Sequence, residues 1–308
     1  MVDRPELLLV GSVGLASAEE VFRTVSATIG DRVKRIPDGE TGPRSLWVYW
    51  PRRVLEQNDA FEIDPEEGAR GTRATSEVEG VRRWIGNEAA KKGDPPPPRM
   101  RVKAGLDPSR VQLGPLGYAD VARESYAVFQ RLRSEGAVPR GVRFQVSLPT
   151  TAAFLNAHVV YAQHAAFEPV YRARLLAEVE QMASTIDPAD LAVQWDVSTE
   201  MAQWEGVRHA YFDNVQQGVV DRVALHCQAV PRGVELGIGL AATRARGGAR
   251  AAVALHRRER GLSRPRRPAR PPGRCYDRRC DDRGAAGRDR RRVRLPRRPR
   301  CGRRGADR

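Results

Sequence analysis

After Ile238 the chain contains no further Ile, Phe, Trp, Lys, Asn, Gln or Met, and Tyr276 is its one remaining aromatic residue. A stretch of that kind cannot bury enough apolar area to offset the entropy of ordering it. A hydrophobic core must therefore be built from residues 1–238. Charge divides at the same place. Residues 239–308 hold 25 of the 53 Lys+Arg and 6 of the 38 Asp+Glu, a net charge of +19, which leaves 28 basic and 32 acidic residues, net −4, before them. The formal charge of +15 thus belongs to the tail, and a uniformly basic nucleic-acid-binding fold is excluded. Arg, Ala, Gly and Pro dominate the tail, and they are the residues with the most GC-rich codons. Out-of-frame reading of a GC-rich gene from about codon 239 gives this composition; a selected basic tail is the alternative. Either way, residues 239–308 are expected to be an Arg/Pro/Gly-rich, disordered segment.

Cysteine usage points to a cytoplasmic protein. Cys227 stands alone in the first 238 residues, and Cys275, Cys280 and Cys301 lie in the tail, so there is no disulfide framework. No run of about 18 apolar residues is present to span a membrane. Leu7–Ala18 can be read as a signal-peptide core, but Asp3, Arg4 and Glu6 precede it and Gly11, Ser12 and Gly14 interrupt it. The reading that fits better is a buried strand followed by a Gly-Ser turn and a helix.

Short apolar stretches alternate with amphipathic ones. Glu6–Val10, Arg32–Ile36, Val142–Ser147, Leu191–Trp195 and Gly233–Ile238 read as strands covered on both faces. Ala18–Ile29, Tyr118–Glu135, Pro169–Ile186 and Tyr211–Ala229 carry apolar residues at i, i+3/i+4 spacing and read as helices. Asp187-Pro188 stops the third helix. Gly93-Asp94 and Pro95–Pro98 make residues 86–100 a loop, and Arg52–Thr75 is a polar excursion. This alternation predicts an α/β fold with a parallel sheet, of (β/α)8 TIM-barrel type but incomplete, over residues 1–238.

Three segments carry candidate chemistry, each directly after a predicted strand, where (β/α) folds place their sites. Gly11 and Ser12 offer a flexible backbone and a hydroxyl; a plain turn is the alternative. Asp38, Glu40, Thr41 and Arg44 put two carboxylates, a hydroxyl and a guanidinium within seven residues, with Trp47, Tyr49 and Trp50 following; here the alternative is a solvated turn. Gln194 and Asp196 bring an amide and a carboxylate to the end of a buried strand, and helix capping by Asp196 competes with a binding role. His158, His164, His209 and His226 have no metal-ligand spacing with cysteine, and Cys275, Cys280, His256 and Cys301 fit no closed zinc module.

Together these segments resemble the superfamily of cobalamin-independent methionine synthase C-terminal domains and uroporphyrinogen decarboxylases, and more closely a bacterial branch of it. LLLVGSVGLASAEEVF is similar to the first strand and turn of the synthase barrel, where Ile-Gly-Ser-Phe-Pro occurs; Gly11 and Ser12 match, Val13 and Gly14 depart. RIPDGETGPRSLWVYW resembles the branch's second loop. LGPLGYADVARESYAVFQRLRSEGAVPRGVRFQVSLPT is also typical of it. EPVYRARLLAEVEQMASTIDPADLAVQWD resembles the approach to the synthases' Gln-Ile-Asp-Glu-Pro motif; Gln194 and Asp196 match, while Trp195, Val197 and Ser198 do not, so the motif's Glu is missing. The resemblance covers residues 6–238.

The resemblance implies a (β/α)8 barrel, a small thiol substrate, and a zinc ion that binds the thiol and stabilises its thiolate for attack on a methyl donor. It implies that Ser12 and Asp196 hold the amino-acid part of the substrate. Gly11, Ser12, Asp38, Glu40, Gln194 and Asp196 are therefore the expected substrate-binding set, with Asp38 and Glu40 on the branch's own acidic loop. The zinc ligands are the point of departure. The family has His-x-Cys after a strand like Gly233–Gly237, whereas Gly239 and Ala241 stand there in this chain. The expectation is a methyltransferase-like chain, inactive as written, with no metal ligands of its own. Non-specific nucleic-acid or polyanion binding through the tail is the alternative function.

Overall fold

The computed structural model describes residues 6–66, 98–206, 208–241 and 252–256. The chain divides into Met1–Glu259 and Arg260–Arg308, and the described residues all belong to the first unit. The disorder expected of the tail therefore falls outside the described residues, except at 239–241 and 252–256, which are strand.

Helix α1 (Ala18–Ile29) begins where Ser17 caps it, the hydroxyl accepting from Glu20 N at 3.2 Å. It buries Val21, Phe22 and Val25. Strand β1 (Arg35–Pro37) follows, then a loop with a 3-10 turn at Gly42–Leu46 and the short helix α2 (Arg52–Glu56). Strands β2 (Phe61–Ile63) and β3 (Met100–Val102) form an antiparallel pair. So the polar excursion contains structure at its start; residues 67–97, including most of the proline-rich loop, are outside the described residues.

Helix α3 (Tyr118–Ser134) leads to β4 (Arg143–Pro149), then α4 (Thr151–His158) and α5 (His164–Thr185). Strand β5 (Leu191–Val197), α6 (Thr199–Trp204), α7 (Val215–Gln228), β6 (Glu235–Ala241) and β7 (Ala252–His256) complete the order. The main sheet runs β1-β4-β5-β6-β7, parallel throughout except for the antiparallel β6–β7 pair. The fold is mixed α/β on a parallel sheet. Eight-stranded closure goes beyond the five strands of the main sheet among the described residues.

The two sheet faces differ. Parallel neighbours share a face, and the register puts Phe144 beside Ile36 and Leu191, and Trp195 beside Leu148 and Ile238. This face meets the helices: Phe22, Phe129 and Phe144 form an aromatic cluster with centroids 5.2–6.1 Å apart. The opposite face carries Arg35, Gln145, Ser147, Gln194, Asp196 and Glu235. The strands are thus apolar on one side and polar on the other, a pattern of period 2, rather than covered by apolar side chains on both.

Several boundaries differ from expectation for identifiable reasons. Glu6–Val10 makes one parallel bridge, Leu7 to Val33, instead of a full strand. Its later carbonyls accept from side chains of the polar face: Gln145 Nε2 reaches Leu9 O at 3.0 Å, and Ser147 Oγ reaches Val10 O at 2.9 Å. The third helix starts at His164, five residues before Pro169, because a proline in the second turn removes one N–H without ending the helix. The fourth starts at Val215, capped by Asn214, and leaves Tyr211 and Phe212 outside. Both rings stack on Arg222, whose Cζ lies 3.8 Å from the Phe212 centroid. Gly218 makes this possible, since a β-carbon there would sit 2.3 Å from Phe212 Cδ2. Strand β6 runs three residues past Ile238, across the compositional break.

Candidate functional site

The acidic loop leaves β1 at Asp38 and turns sharply. Gly39 and Glu40 have φ of 77° and 54°, and Glu40 is the one non-glycine residue with positive φ among the described residues. A left-handed glutamate is a strained position that its surroundings must hold. Two hydrogen bonds do so: Glu40 N donates to Asp38 Oδ1 at 3.0 Å, and Val13 N donates to Gly39 O at 3.0 Å. The second bond ties the Gly11-Ser12 turn to the acidic loop. Gly39 is required, because a β-carbon there would lie 2.6 Å from Val21 Cγ2.

Glu40 is buried and points toward Gly11 and Ser12. The exposed Ser12 hydroxyl donates to Glu40 Oε2. A β-carbon on Gly11 would lie 2.4 Å from Glu40 Oε1, so only glycine allows this approach. On β5, Gln194 Nε2 donates to Asp196 Oδ1 at 2.9 Å and also to Val10 O. Asp196 is half-buried and lies opposite Gly239 of β6 in the register. Ser12, Glu40, Gln194 and Asp196 thus gather at the carboxyl ends of the parallel strands, the edge where open α/β sheets bind ligands.

Asp38 has a different part. Its Oδ1 accepts from Glu40 N, and its Oδ2 accepts from Arg44 Nη1 at 3.1 Å and Ser125 Oγ at 3.0 Å. Only 2 % of its surface is exposed. Its oxygens are engaged within the protein, so it anchors the loop where a substrate contact was expected. Arg44 extends this anchorage to β4, donating from Nη2 to Ser147 O at 3.0 Å.

Burial dominates the electrostatics. Desolvation pushes Glu40 up to about 7; Ser12 and Arg44 pull it down, and Asp196 and Asp38 push it further up. Asp196 is raised to about 6 by burial, against the downward pull of Gln194 and Arg44. Two carboxylates that exchange protons near neutrality, one coupled to an exposed hydroxyl, can grip a cationic amino group or transfer protons. Below them Arg35 Nη1 meets Glu235 Oε1 at 3.3 Å, and its Nη2 meets Gln194 Oε1 at 3.4 Å, which closes the polar face under the site.

No family model, curated protein or solved structure matches the chain.

The zinc implied by the resemblance does not fit the residues present. Gly239 and Ala241 have no donor atoms, and a β-carbon at 239 would lie 2.7 Å from Asp196 Oδ1 and 3.2 Å from Gln194 Nε2. The space beside the end of β6 is already filled by the Asp196 carboxylate. Among the described residues no group of three His, Cys, Asp or Glu is arranged to hold a metal ion, and no helix is long and apolar enough to cross a membrane. The histidines have structural surroundings. His158 and His164 are buried and hydrogen-bonded to Val48 O and Val159 O, and burial lowers them to about 3 and about 4. His226 sits over Trp195, its Nδ1 donating to Arg222 O at 2.7 Å and its Nε2 accepting from Thr151 N at 3.2 Å.

Gln145, Ser147 and Ser125 are not among the residues the sequence marks, and Arg44 is marked in the acidic segment but not in the substrate-binding set. The signal for the first two was present: polar residues at alternate positions of an otherwise apolar strand, Arg-Phe-Gln-Val-Ser-Leu-Pro.

Proposed function

We propose that this chain is a methionine-synthase-like (β/α) barrel protein, descended from zinc-dependent methyltransferases acting on small thiols. In this reading it retains the cleft for the amino group of an amino-acid-like ligand and lacks methyl transfer. The supporting observation is the convergence of Ser12, Glu40 and Asp196 at the strand ends, with Glu40 and Asp196 within electrostatic reach of each other. One guanidinium, Arg44, serves three carboxylates, so the ionised cleft has excess negative charge, and an ammonium group balances it. Gly239 and Ala241 in place of the ligand pair support the loss of zinc chemistry. Titration calorimetry with methionine tests the cleft. Binding is expected at pH 8, with loss at pH 5 and none by the deamino analogue at either pH. Equal binding of the two compounds would refute the reading. Metal analysis of the purified chain is expected to give no stoichiometric zinc.

A second reading rests on the 25 Arg of residues 239–308. It assigns the tail non-specific, salt-dependent binding to nucleic acid or another polyanion. Competition by salt for a DNA duplex, compared between the full chain and residues 1–259, separates it from the first.

A further inference from the structure

We propose that Arg44 is a positioning residue of the acidic cleft: by bridging Asp38 and the Ser147 carbonyl it pins the Glu40 loop to β4 and keeps a fixed positive charge within reach of Glu40 and Asp196. The inference rests on the reading of this cleft as an amine site. Arg44 is 1 % exposed, and its two terminal nitrogens are committed, to Asp38 at 3.1 Å and to Ser147 O at 3.0 Å. Asp38 is in turn held by Ser125 from α3 and by Glu40 N. One planar fork thus fastens three segments: the loop after β1, the end of β4 and, through Asp38, helix α3. A guanidinium suits this task because its donors are fixed in one plane and it stays charged when buried.

The groups facing the pair come from each neighbouring segment: Ser12 from the first turn, Asp38 and Arg44 from the loop, and Gln194 beside Asp196 on β5. Arg44 is the cation that favours ionisation of both Glu40 and Asp196. Asp38 opposes it at Glu40. Arg44 therefore extends amine binding to lower pH without touching the ligand, which makes it a determinant of the working pH of the cleft.

The test is carboxyl carbon NMR titration of Glu40 and Asp196 in the full chain, alongside methionine calorimetry. In Arg44→Met the Asp196 midpoint is expected to rise by about one pH unit, and methionine binding at pH 6.5 to weaken about threefold through lost ionisation. Arg44→Lys keeps the charge and is expected to restore the midpoint. Because Arg44→Met leaves Asp38 a buried, unpaired carboxylate, the double variant Asp38→Asn/Arg44→Met serves if the single one does not fold. There Asp196 is again expected to rise, and Glu40 to rise by less than in the single variant. An unmoved Asp196 midpoint in the folded single or double variant overturns the proposal, as does a rise in Arg44→Lys equal to that in Arg44→Met. If the unaltered chain fails to bind methionine at any pH, the amine-site reading falls while the titration still decides the role of Arg44.

Discussion

Glycine 11 shows how much of the site depends on one missing carbon. The Glu40 carboxylate occupies the volume where a β-carbon would be, 2.4 Å from its Oε1. Gly11→Ala is expected to push Glu40 off the Ser12 hydroxyl. That bond favours the ionised carboxylate, so its loss is expected to push Glu40 further above its ordinary range and to weaken methionine binding near neutral pH, measured by calorimetry across pH 6–8. Glu200 gives a prediction about stability. It is 1 % exposed, and burial raises it to about 7 from 4.5. A carboxyl raised in the folded state binds its proton more tightly there than when unfolded. Its contribution is complete below pH 4.5 and disappears as pH rises through about 7. Glu200→Gln, which stays neutral, is expected to be more stable than the unaltered chain at pH 8, by on the order of 2–3 kcal/mol, and nearly equal to it at pH 4. Urea unfolding at the two pH values checks this; an equal difference at both would rule out titration of Glu200 as the cause.

Among the elements, α3 starts on acceptors supplied by another helix. Gly117 takes φ of 88° at its N-cap and offers no side chain to accept from the first turn. Glu178 of α5 supplies the acceptor, with Oε1 to Leu116 N and Oε2 to Ala119 N, both at 2.8 Å. A carboxylate at a helix N-terminus also opposes the positive end of the helix dipole. Glu178→Ala leaves two buried N–H groups unpaired and is expected to cost about 2–4 kcal/mol in denaturant unfolding, with Glu178→Gln losing about half of that. Equal losses in the two variants would show that packing, rather than the paired acceptors, carries the effect. The periodicity of α3 and α5 was plain in the sequence. The link between them was not, because Glu178 lies 62 residues from Leu116 and 59 from Ala119 in the chain.

For the whole molecule, the main question is where the folded unit stops. The composition break falls at 239, yet β6 continues to Ala241 and β7 at Ala252–His256 pairs with it antiparallel. Backbone hydrogen bonds need no particular side chain, so a strand can extend into a segment whose composition is poor in core residues. The chain divides after Glu259. Deleting Arg260–Arg308 is therefore expected to leave the thermal midpoint of the remainder unchanged, while removing any affinity for a DNA duplex at low salt. A large fall in the midpoint would show that the tail is part of the fold. Frame shifting makes a separate expectation: another reading frame after codon 238 encodes a His-x-Cys pair and further βα units. Stops throughout that frame would leave the basic tail as a selected feature.

The amino-acid order fixed the alternation of strands and helices, since apolar period and capping residues act over a few positions. The spacing of Val21, Phe22, Val25 and Ile29 predicts a helix over Ala18–Ile29, and the helix has those bounds. The order also marked Ser12, Glu40, Gln194 and Asp196 as residues at strand ends. Which of the acids meets Ser12 and which is anchored inside the protein was decided by the folded chain. Asp38 and Glu40 are two residues apart and chemically alike, yet the left-handed turn at Gly39–Glu40 sends Asp38 to Arg44 and Ser125 and Glu40 to Ser12. Burial then raises Glu40 to about 7 while the Ser12 hydroxyl and, after it, the Arg44 charge hold it back. Local sequence cannot encode those outcomes, because desolvation and charge pairing depend on groups brought together from Ser12 to Asp196, which only the packed chain makes neighbours.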